Sequence, residues 1–306
     1  MLGASGFIGS AVVEAARHGG HTVVPLRAPR LAFGADHTGA TRRLSVQVTG
    51  VDVVVNCAGN PDASANNVHE LQVVNSVLPG VIGAAARNAG VLRYIHVSSA
   101  VVQGRRETLD SSDATDAFSA YASSKIGGEV AARAEGPEAT TVYRPPSVHA
   151  PTRRVTRQLA KIASSPLSTV AAPGNRPTPQ THILDVADAI LMLCSSTTPP
   201  PSVVHHPWQG HTTGGLLRVL GAGRSPRLVP TSIGRLVLRA AAAAALLAPR
   251  VAPYARRVEM IWFGQAQGPS WLTEQGWRPV TTDEDWTHLA QQARQHRPYT
   301  TMKVQR

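Results

Sequence analysis

Short apolar runs alternate with helix-like segments over the first two-thirds of this 306-residue chain, and this alternation constrains the fold more than any other feature. Strands are predicted where apolar and β-branched residues cluster, at 21–26, 51–57, 93–98 and 140–143. Helical spacing of apolar residues predicts helices at 8–17, 70–89 and 120–134. Because strand–helix alternation is typical of βαβ units, we expect an α/β fold with a doubly wound parallel sheet.

The texture of the sequence changes after Pro151, where proline and threonine become frequent. Helices are still predicted at 184–195 and 233–247, the second of them around a run of alanines. We therefore expect a first domain at 1–148, to which 182–206 return. A smaller C-terminal substrate-binding lobe is expected from 149–181 and 207–306.

The chain carries a net charge of +11, and 27 of its 30 basic residues are arginines. The arginines are scattered and lack a nucleic-acid-binding motif, so no nucleic-acid partner is expected. A positive field instead favours phosphorylated small molecules.

Cysteine content and hydropathy indicate the compartment. Cys57 and Cys194 cannot form a disulfide framework and are typical of a reducing environment. The longest apolar run, 240–248, is too short for a membrane span, and no signal-peptide pattern is present, so we predict a cytoplasmic protein. For the helix at 233–247, internal packing is favoured over peripheral membrane contact.

Three glycines at the start of the chain, Gly3, Gly6 and Gly9, lead directly into a helical pattern. Such a loop lets backbone N–H groups approach a pyrophosphate at the positive end of a helix dipole, which predicts a Rossmann-type dinucleotide site. Only Met1 and Leu2 stand where a first strand of about five residues is expected, so we hypothesise that the natural start lies upstream. Arg27 follows the second predicted strand and favours NADP, because an arginine there can pair with the 2′-phosphate. If Arg27 is instead an ordinary surface arginine, the cofactor can equally be NAD.

A tyrosine and a lysine, Tyr121 and Lys125, are four residues apart and therefore share one face of a predicted helix. A cation within about 5 Å favours the phenolate, so the tyrosine can act as acid and base in hydride-transfer chemistry. The chain has only three lysines, so a chance pairing is a poor explanation. Ser99 ends a predicted strand, at the edge where α/β sheets bind ligands, and its hydroxyl can hold a substrate oxygen beside Tyr121.

Several motifs occur in an order that resembles extended short-chain dehydrogenases/reductases, and within them the NAD-dependent epimerase/dehydratase family. The motifs are Gly3-x-x-Gly6-x-x-Gly9, Asn56-Cys-Ala-Gly59, Asn75, the serine motif at 98–104, Tyr121-x-x-x-Lys125, and the segments 144–151 and 182–188. The resemblance runs from Gly3 to about Asp188. It implies a Rossmann-type fold, an NAD or NADP cofactor and hydride transfer.

The resemblance also implies a role for each matching residue. Tyr121 would be the acid/base, Lys125 its pKa modulator and a ribose ligand, and Ser99 the substrate-orienting hydroxyl. Asn75 would organise the site. The implied cofactor-binding residues are Gly3, Ser5, Gly6, Phe7, Ile8, Gly9, Ala58, Gly59, Tyr121, Lys125, Pro145 and Val148. A homodimer through the helices at 70–89 and 121–134 is implied as well.

The sequence departs from the sugar-modifying members in its substrate motifs. Residues 102–104 read Val-Gln-Gly where Val-Tyr-Gly is usual, and Ser147 and His149 stand where an asparagine and a tyrosine are usual. An Ala-Val pair at 100–101 replaces the Asp-Glu pair of dehydratases, which disfavours dehydration. The C-terminal pattern, including 223–230, looks more like 3β-hydroxysteroid dehydrogenases and dihydroflavonol reductases.

The sequence is compatible with three functions. The first is epimerisation or 4-keto reduction of a nucleotide sugar, with Ser147 near the substrate and an arginine on its diphosphate. The candidate arginines are Arg153, Arg154, Arg157, Arg224 and Arg227. The second is reduction or oxidation of a non-nucleotide alcohol or ketone. The third, a catalytically silent NADP-sensing regulator, is disfavoured by the intact Tyr-Lys pair.

Four histidines, His149, His205, His206 and His211, raise the question of a metal site. They lack paired ligand spacing and a carboxylate partner, so no metal is expected.

Overall fold

The computed structural model describes residues 1–62, 67–247 and 252–295 of the chain. In chain order its strands are β1 (Val53–Asn56), β2 (Arg93–Val97), β3 (Thr108–Leu109), β4 (Thr140–Arg144), β5 (Ser147–His149), β6 (Thr169–Ala171), β7 (Gln180–His182), β8 (Val203–His205), β9 (Arg227–Val229) and β10 (Ala266–Gln267). Its α-helices are α1 (Phe7–His18), α2 (Thr38–Gln47), α3 (Val68–Leu71), α4 (Leu78–Asn88), α5 (Ala120–Glu135), α6 (Arg154–Ala163), α7 (Ile183–Ser195), α8 (Thr213–Leu220), α9 (Thr231–Leu247), α10 (Ala252–Phe263), α11 (Trp271–Glu274) and α12 (Asp283–Gln295). A π-helical segment, Gln72–Val77, joins α3 to α4.

A parallel sheet with strand order β1-β2-β4-β8 forms the centre of the fold. β2 lies between β1 and β4, with Tyr94 opposite both Val54 and Thr140. Strands buried on both faces are expected to be largely apolar, and the Val-rich β1 follows this rule, whereas the fully buried β4 also carries two threonines and Arg144. The strands predicted at 51–57, 93–98 and 140–143 are thus confirmed.

Helices cover both faces of this sheet. On one face α1 and α7 pack together, and Val12 and Ile190 join Ile95 of β2 in one apolar core. On the other face α2, α4 and α5 enclose a second core that includes Leu44 and Ile82. The predicted doubly wound α/β architecture is therefore confirmed.

The edge of the sheet beside β1 differs from the prediction at 21–26. Leu2 alone forms parallel bridges, one to Leu26 and one to Asn56. Two hydrogen bonds support them, from Leu2 N to Val55 O at 2.9 Å and from Leu26 N to Met1 O at 2.8 Å. The predicted strand is reduced to this single bridge, because a parallel ladder needs a partner longer than the two residues before the glycine turn.

The C-terminal part forms its own apolar cluster around α6, α8 and α12. Leu159, Leu217 and Leu289 are buried there together with Trp286. Short parallel strand pairs, β5-β7 and β6-β9, lie in the same part of the chain. None of the helices in the described residues is long and apolar enough to cross a lipid bilayer.

Candidate active site

The glycine loop forms a tight turn that leads into α1. Gly3 has a φ of +73°, and a Cβ on it would lie 2.5 Å from the backbone nitrogen of Ala58. A Cβ on Gly9 would lie 1.9 Å from the Gly3 carbonyl oxygen, so the loop packs directly on the helix. Gly6 is the N-cap of α1 and provides no side-chain cap, while Ser5 and Gly6 are exposed. The first N–H groups of this helix therefore have no side-chain cap, as an anion-binding turn requires.

The loop after β1 brings three predicted site residues together. Gly59 lies so close to Asn75 that a Cβ on it would be 2.9 Å from Asn75 Oδ1 and 3.9 Å from Lys125 Nζ. Asn75 is 1% exposed; its Oδ1 accepts a hydrogen bond from Asn60 N, and its Nδ2 donates to Ser124 Oγ at 3.1 Å. Asn75 therefore ties the loop after β1 to α5.

Asn75 lies in the π-helical segment, whose extra residue per turn pushes its backbone toward α5. The approach is possible because α5 has glycine at 128, where a Cβ would be 2.0 Å from the Asn75 carbonyl oxygen. Single-turn π-helical segments within α-helices are frequent at functional sites. Here the segment fixes the amide of Asn75 beside Ser124.

Tyr121, Lys125 and Ser99 meet at the carboxyl end of β2. The Ser99 hydroxyl lies close enough to the Tyr121 phenol to lower its pKa. Lys125 is 6% exposed, and its Nζ donates to the Val97 carbonyl oxygen at 3.0 Å. Ser99 caps a short 3-10 helix, its Oγ accepting from Val101 N at 3.3 Å. The three residues thus lie at the edge of the sheet where ligands bind in α/β proteins, and their catalytic role stays a prediction.

The pKa values in this cluster differ from the expectation that Lys125 lowers that of Tyr121. Burial raises the pKa of the Tyr121 phenol, and the Arg153 guanidinium and the Ser99 hydroxyl oppose the rise. Burial also lowers the pKa of Lys125 to about 8, against the attraction of the Glu129 carboxylate. Desolvation is therefore the largest influence on the pKa values of both groups.

Beneath Lys125 lies a buried ion pair that the sequence analysis missed. Glu129 and Arg144 have side chains 2% and 1% exposed, and Arg144 Nη2 donates to Glu129 Oε2 at 2.6 Å. Ser98 Oγ donates to the other carboxylate oxygen at 2.5 Å. One signal could have revealed this: Glu129 follows Lys125 by one helical turn, on the face of α5 that should be apolar.

Arg153 reaches into the site from the N-cap position of α6. Its guanidinium lies 4.9 Å from the ring centroid of Phe7, in the glycine loop, and donates to the carbonyl oxygen of Val148. It also interacts electrostatically with Tyr121. Arg153 therefore connects the glycine loop, β5 and the triad.

Of the remaining predicted residues, some lie beside the serine motif and Arg27 lies at the surface. The Pro145 carbonyl oxygen accepts from Ala100 N at 2.9 Å, which keeps 145–148, including Ser147, beside the serine motif. Arg27 is exposed and follows the bridge at Leu26.

Arg224 is not brought to the triad. It donates to the Ser164 carbonyl oxygen at the C-terminal end of α6, whereas Arg153 is at the N-terminal end. A ten-residue helix is about 15 Å long, so the two arginines do not converge.

The four histidines make ordinary hydrogen bonds or ring contacts. His149 bonds to Thr156 and Gln180, and His211 packs edge-on to Trp286 at 4.4 Å between ring centroids. The other two bond to hydroxyl groups, His205 to Ser111 and His206 to Tyr143 and Thr181. Among the described residues no group of three or more His, Cys, Asp or Glu could hold a metal ion.

Comparison with known proteins gives a family match and two curated relatives. The model of the NAD-dependent epimerase/dehydratase family matches residues 1–204. A dTDP-4-dehydrorhamnose reductase of Mycolicibacterium smegmatis is 32% identical over 149 residues, 46% of this chain and 43% of that protein. A ceramide reductase of Caulobacter vibrioides is 30% identical over 205 residues, 63% of this chain and 60% of that protein. The matching part of this chain thus spans less than two-thirds of either relative.

Among solved structures, the human epimerase family protein SDR39U1 (isoform 2) with NADPH superposes with a TM-score of 0.69. The match covers 95% of this chain and 98% of that one at 17% sequence identity. At this identity the match shows a shared fold.

Proposed function

The chain belongs to the NAD-dependent epimerase/dehydratase family, and on that premise we propose an NAD(P)-dependent oxidoreductase that acts at a carbinol or ketone carbon of a nucleotide sugar. Its reaction would be epimerisation or 4-keto reduction. The observation that carries the proposal is the meeting of Ser99, Tyr121 and Lys125 beside Gly59. The Mycolicibacterium relative, a reductase of a dTDP-linked keto sugar, supports the substrate class.

The residues of the glycine loop fit a nicotinamide dinucleotide. Gly3 and Gly9 leave no room for a Cβ, and the uncapped start of α1 offers backbone N–H groups to a pyrophosphate. The residues that would hold the cofactor are Gly3, Ser5, Gly6, Phe7, Ile8, Gly9, Ala58, Gly59, Tyr121, Lys125, Pro145 and Val148. Arg27 favours NADP over NAD. When bound, the nicotinamide accepts or supplies the hydride in this chemistry.

The protein side chains would handle the proton. Tyr121 would exchange a proton with the substrate oxygen at its phenol, while the nearby Ser99 hydroxyl would orient the same oxygen. Lys125 uses one of its three N–H donors on Val97 O, which leaves two for a cofactor ribose. Because Lys125 lies next to Gly59, these donors would face the cofactor.

Substrate recognition would involve Arg153 and Ser147. Arg153 is the arginine that reaches the triad, so we assign it, rather than Arg224, to an anionic group of the substrate. Ser147 is half-buried, and its backbone is fixed by a bond to the Pro179 carbonyl oxygen. Ser147 lies in β5 and Arg153 donates to the β5 residue Val148, so both are at the segment that would pass the nicotinamide.

Steady-state assays on dTDP-4-keto sugars and UDP-hexoses test the proposal. Tyr121→Phe should lower kcat at least about 100-fold, because it removes the group that transfers the proton. Lys125→Met should lower kcat and weaken cofactor binding, whereas the matched control Lys161→Met, at an exposed position on α6, should do neither. Turnover that is unchanged in Tyr121→Phe would contradict the proposed mechanism, and a wild type that binds NADP but turns over none of these substrates would favour the regulator.

A second candidate function is favoured by one specific observation. The Caulobacter relative is a ceramide reductase, so a non-nucleotide ketone or alcohol is the alternative substrate. Thermal-shift measurements with UDP or dTDP separate the two, since a ligand that binds the folded state raises the Tm. Stabilisation by a nucleoside diphosphate supports the nucleotide sugar; no shift with either, together with turnover of a lipid ketone, supports the second function.

A further inference from the structure

Helix α9 exposes an apolar stripe to solvent instead of packing it inside the protein. Ile233, Leu236 and Val237 are 52%, 68% and 44% exposed, and with the exposed Ala240 they recur at the i, i+3, i+4, i+7 spacing of one helix face. Another side of the helix is buried at Gly234, where a Cβ would lie 3.0 Å from an aromatic ring of α10. The expectation that this helix packs inside the protein is therefore wrong for the residues of the stripe.

Positive charge borders the stripe. Arg235 and Arg239 lie one turn apart on α9, both are exposed, and α9 contains no acidic residue. Arg227 and Leu228 in β9, directly before the helix, are exposed as well. The same bias extends along the sequence, because 189–258 contains eight arginines and no aspartate or glutamate.

The combination of an apolar stripe and unbalanced arginines decides which partner fits. A second copy of this chain also carries a net charge of +11, so it would be repelled. A nucleic acid would satisfy the arginines and leave the apolar stripe in water. An anionic lipid surface satisfies both, because headgroups attract the arginines and the acyl boundary accepts the apolar side chains.

We propose that α9 is a docking face for an anionic lipid surface. Its 17 residues span about 25 Å, and it would lie in the plane of the interface with Ile233, Leu236 and Val237 inserted below the headgroups. Arg235 and Arg239 would remain at headgroup level. The proposal is independent of the substrate, and it concerns side chains that do not touch the triad.

Co-sedimentation of the full chain with vesicles tests the proposal. The protein should bind vesicles of mixed phosphatidylcholine and phosphatidylglycerol, bind phosphatidylcholine vesicles much more weakly, and lose binding as salt is added. The double substitution Ile233→Glu/Leu236→Glu should weaken binding about tenfold or more, and so should Arg235→Gln/Arg239→Gln. A control, Leu92→Glu, changes an apolar residue that is 73% exposed before β2 and should bind like the wild type.

The outcomes separate the alternatives. Equal binding to both vesicle types, or unchanged binding of the two double variants, overturns the proposal. A wild-type dimer in size-exclusion chromatography that becomes monomeric in Ile233→Glu/Leu236→Glu would assign the stripe to self-association and overturn it as well. Circular dichroism verifies that the variants are folded, and their turnover of a water-soluble substrate should equal that of the wild type.

Discussion

At the scale of single residues, Glu129 carries the most demanding electrostatic role. Its carboxylate is buried and bonds to Arg144 and Ser98, so Glu129→Gln leaves the Arg144 guanidinium buried without its counter-ion. Breaking a buried ion pair in this way costs about 3–5 kcal/mol, and urea unfolding should show a loss of that size. The matched control Glu135→Gln, in the exposed pair with Arg87 at the end of the same helix, should cost less than about 1 kcal/mol. Similar losses for both would contradict the assigned role.

The buried Lys125 predicts that the stability of the protein depends on pH in the alkaline range. Burial lowers its pKa to about 8 from 10.5, so the unfolded chain binds more protons between these values and stability rises with pH across that window. Below pH 8 the buried ammonium costs up to about 3 kcal/mol. Lys125→Met should therefore unfold at higher urea concentration than the wild type at pH 7, with the difference shrinking towards pH 10.5. A variant that is less stable at pH 7 would show that the bond to Val97 outweighs desolvation.

At the scale of elements, the contact between the π-helical segment and α5 depends on one glycine. Gly128→Ala places a Cβ 2.0 Å from the Asn75 carbonyl oxygen, and because that atom is backbone the two elements must separate. We expect a loss of about 1–3 kcal/mol in urea unfolding and, since Asn75 moves, weaker cofactor binding in fluorescence titrations. Gly39→Ala on the exposed face of α2 is the control and should instead gain about 0.5–1 kcal/mol. A stable Gly128→Ala variant with normal cofactor binding would contradict the role proposed for the contact between the π-helical segment and α5.

The helices and strands also show what a single sequence can predict. β2 and β4 were predicted because apolar and β-branched residues cluster there, and α5 because its apolar residues repeat with the helical period. α2 was left unassigned, because its sequence is polar and only Ala40 and Leu44 are buried in it. The strand predicted at 21–26 was too long, because only Leu26 of this segment forms a bridge. A strand needs a partner, and the local sequence pattern does not show whether one is available.

At the scale of the whole molecule, some residues of the site could be predicted from the sequence and others could not. Tyr121 and Lys125 were predictable because both lie on one helix, and Ser99 because a strand ends there. Arg153 became part of the cluster through Phe7, 146 residues earlier in the chain. A contact between residues so far apart in the chain comes from tertiary packing, which no local spacing reports.

The buried histidines make the whole fold sensitive to acid. Burial lowers the pKa of His149 to about 4 and of His206 to about 3, and it lowers those of His96, His182, His205 and His211 as well. Asp185 opposes the shift at His182 and His211 without reversing it. Since the unfolded chain binds these protons near pH 6.5, stability present above that pH is lost as the pH falls towards the folded values.

His149 provides the sharpest test of this acid sensitivity. Its contribution alone amounts to about 2 kcal/mol between pH 7 and pH 5. His149→Gln keeps a polar group between Thr156 and Gln180 and removes the titration, so its urea midpoint should fall less than that of the wild type over this range. His18→Gln removes an exposed imidazole on α1 and should follow the wild-type slope. If His149→Gln loses as much stability on acidification as the wild type, the acid sensitivity does not arise from the histidine that contacts Trp286 and holds β5 to α6.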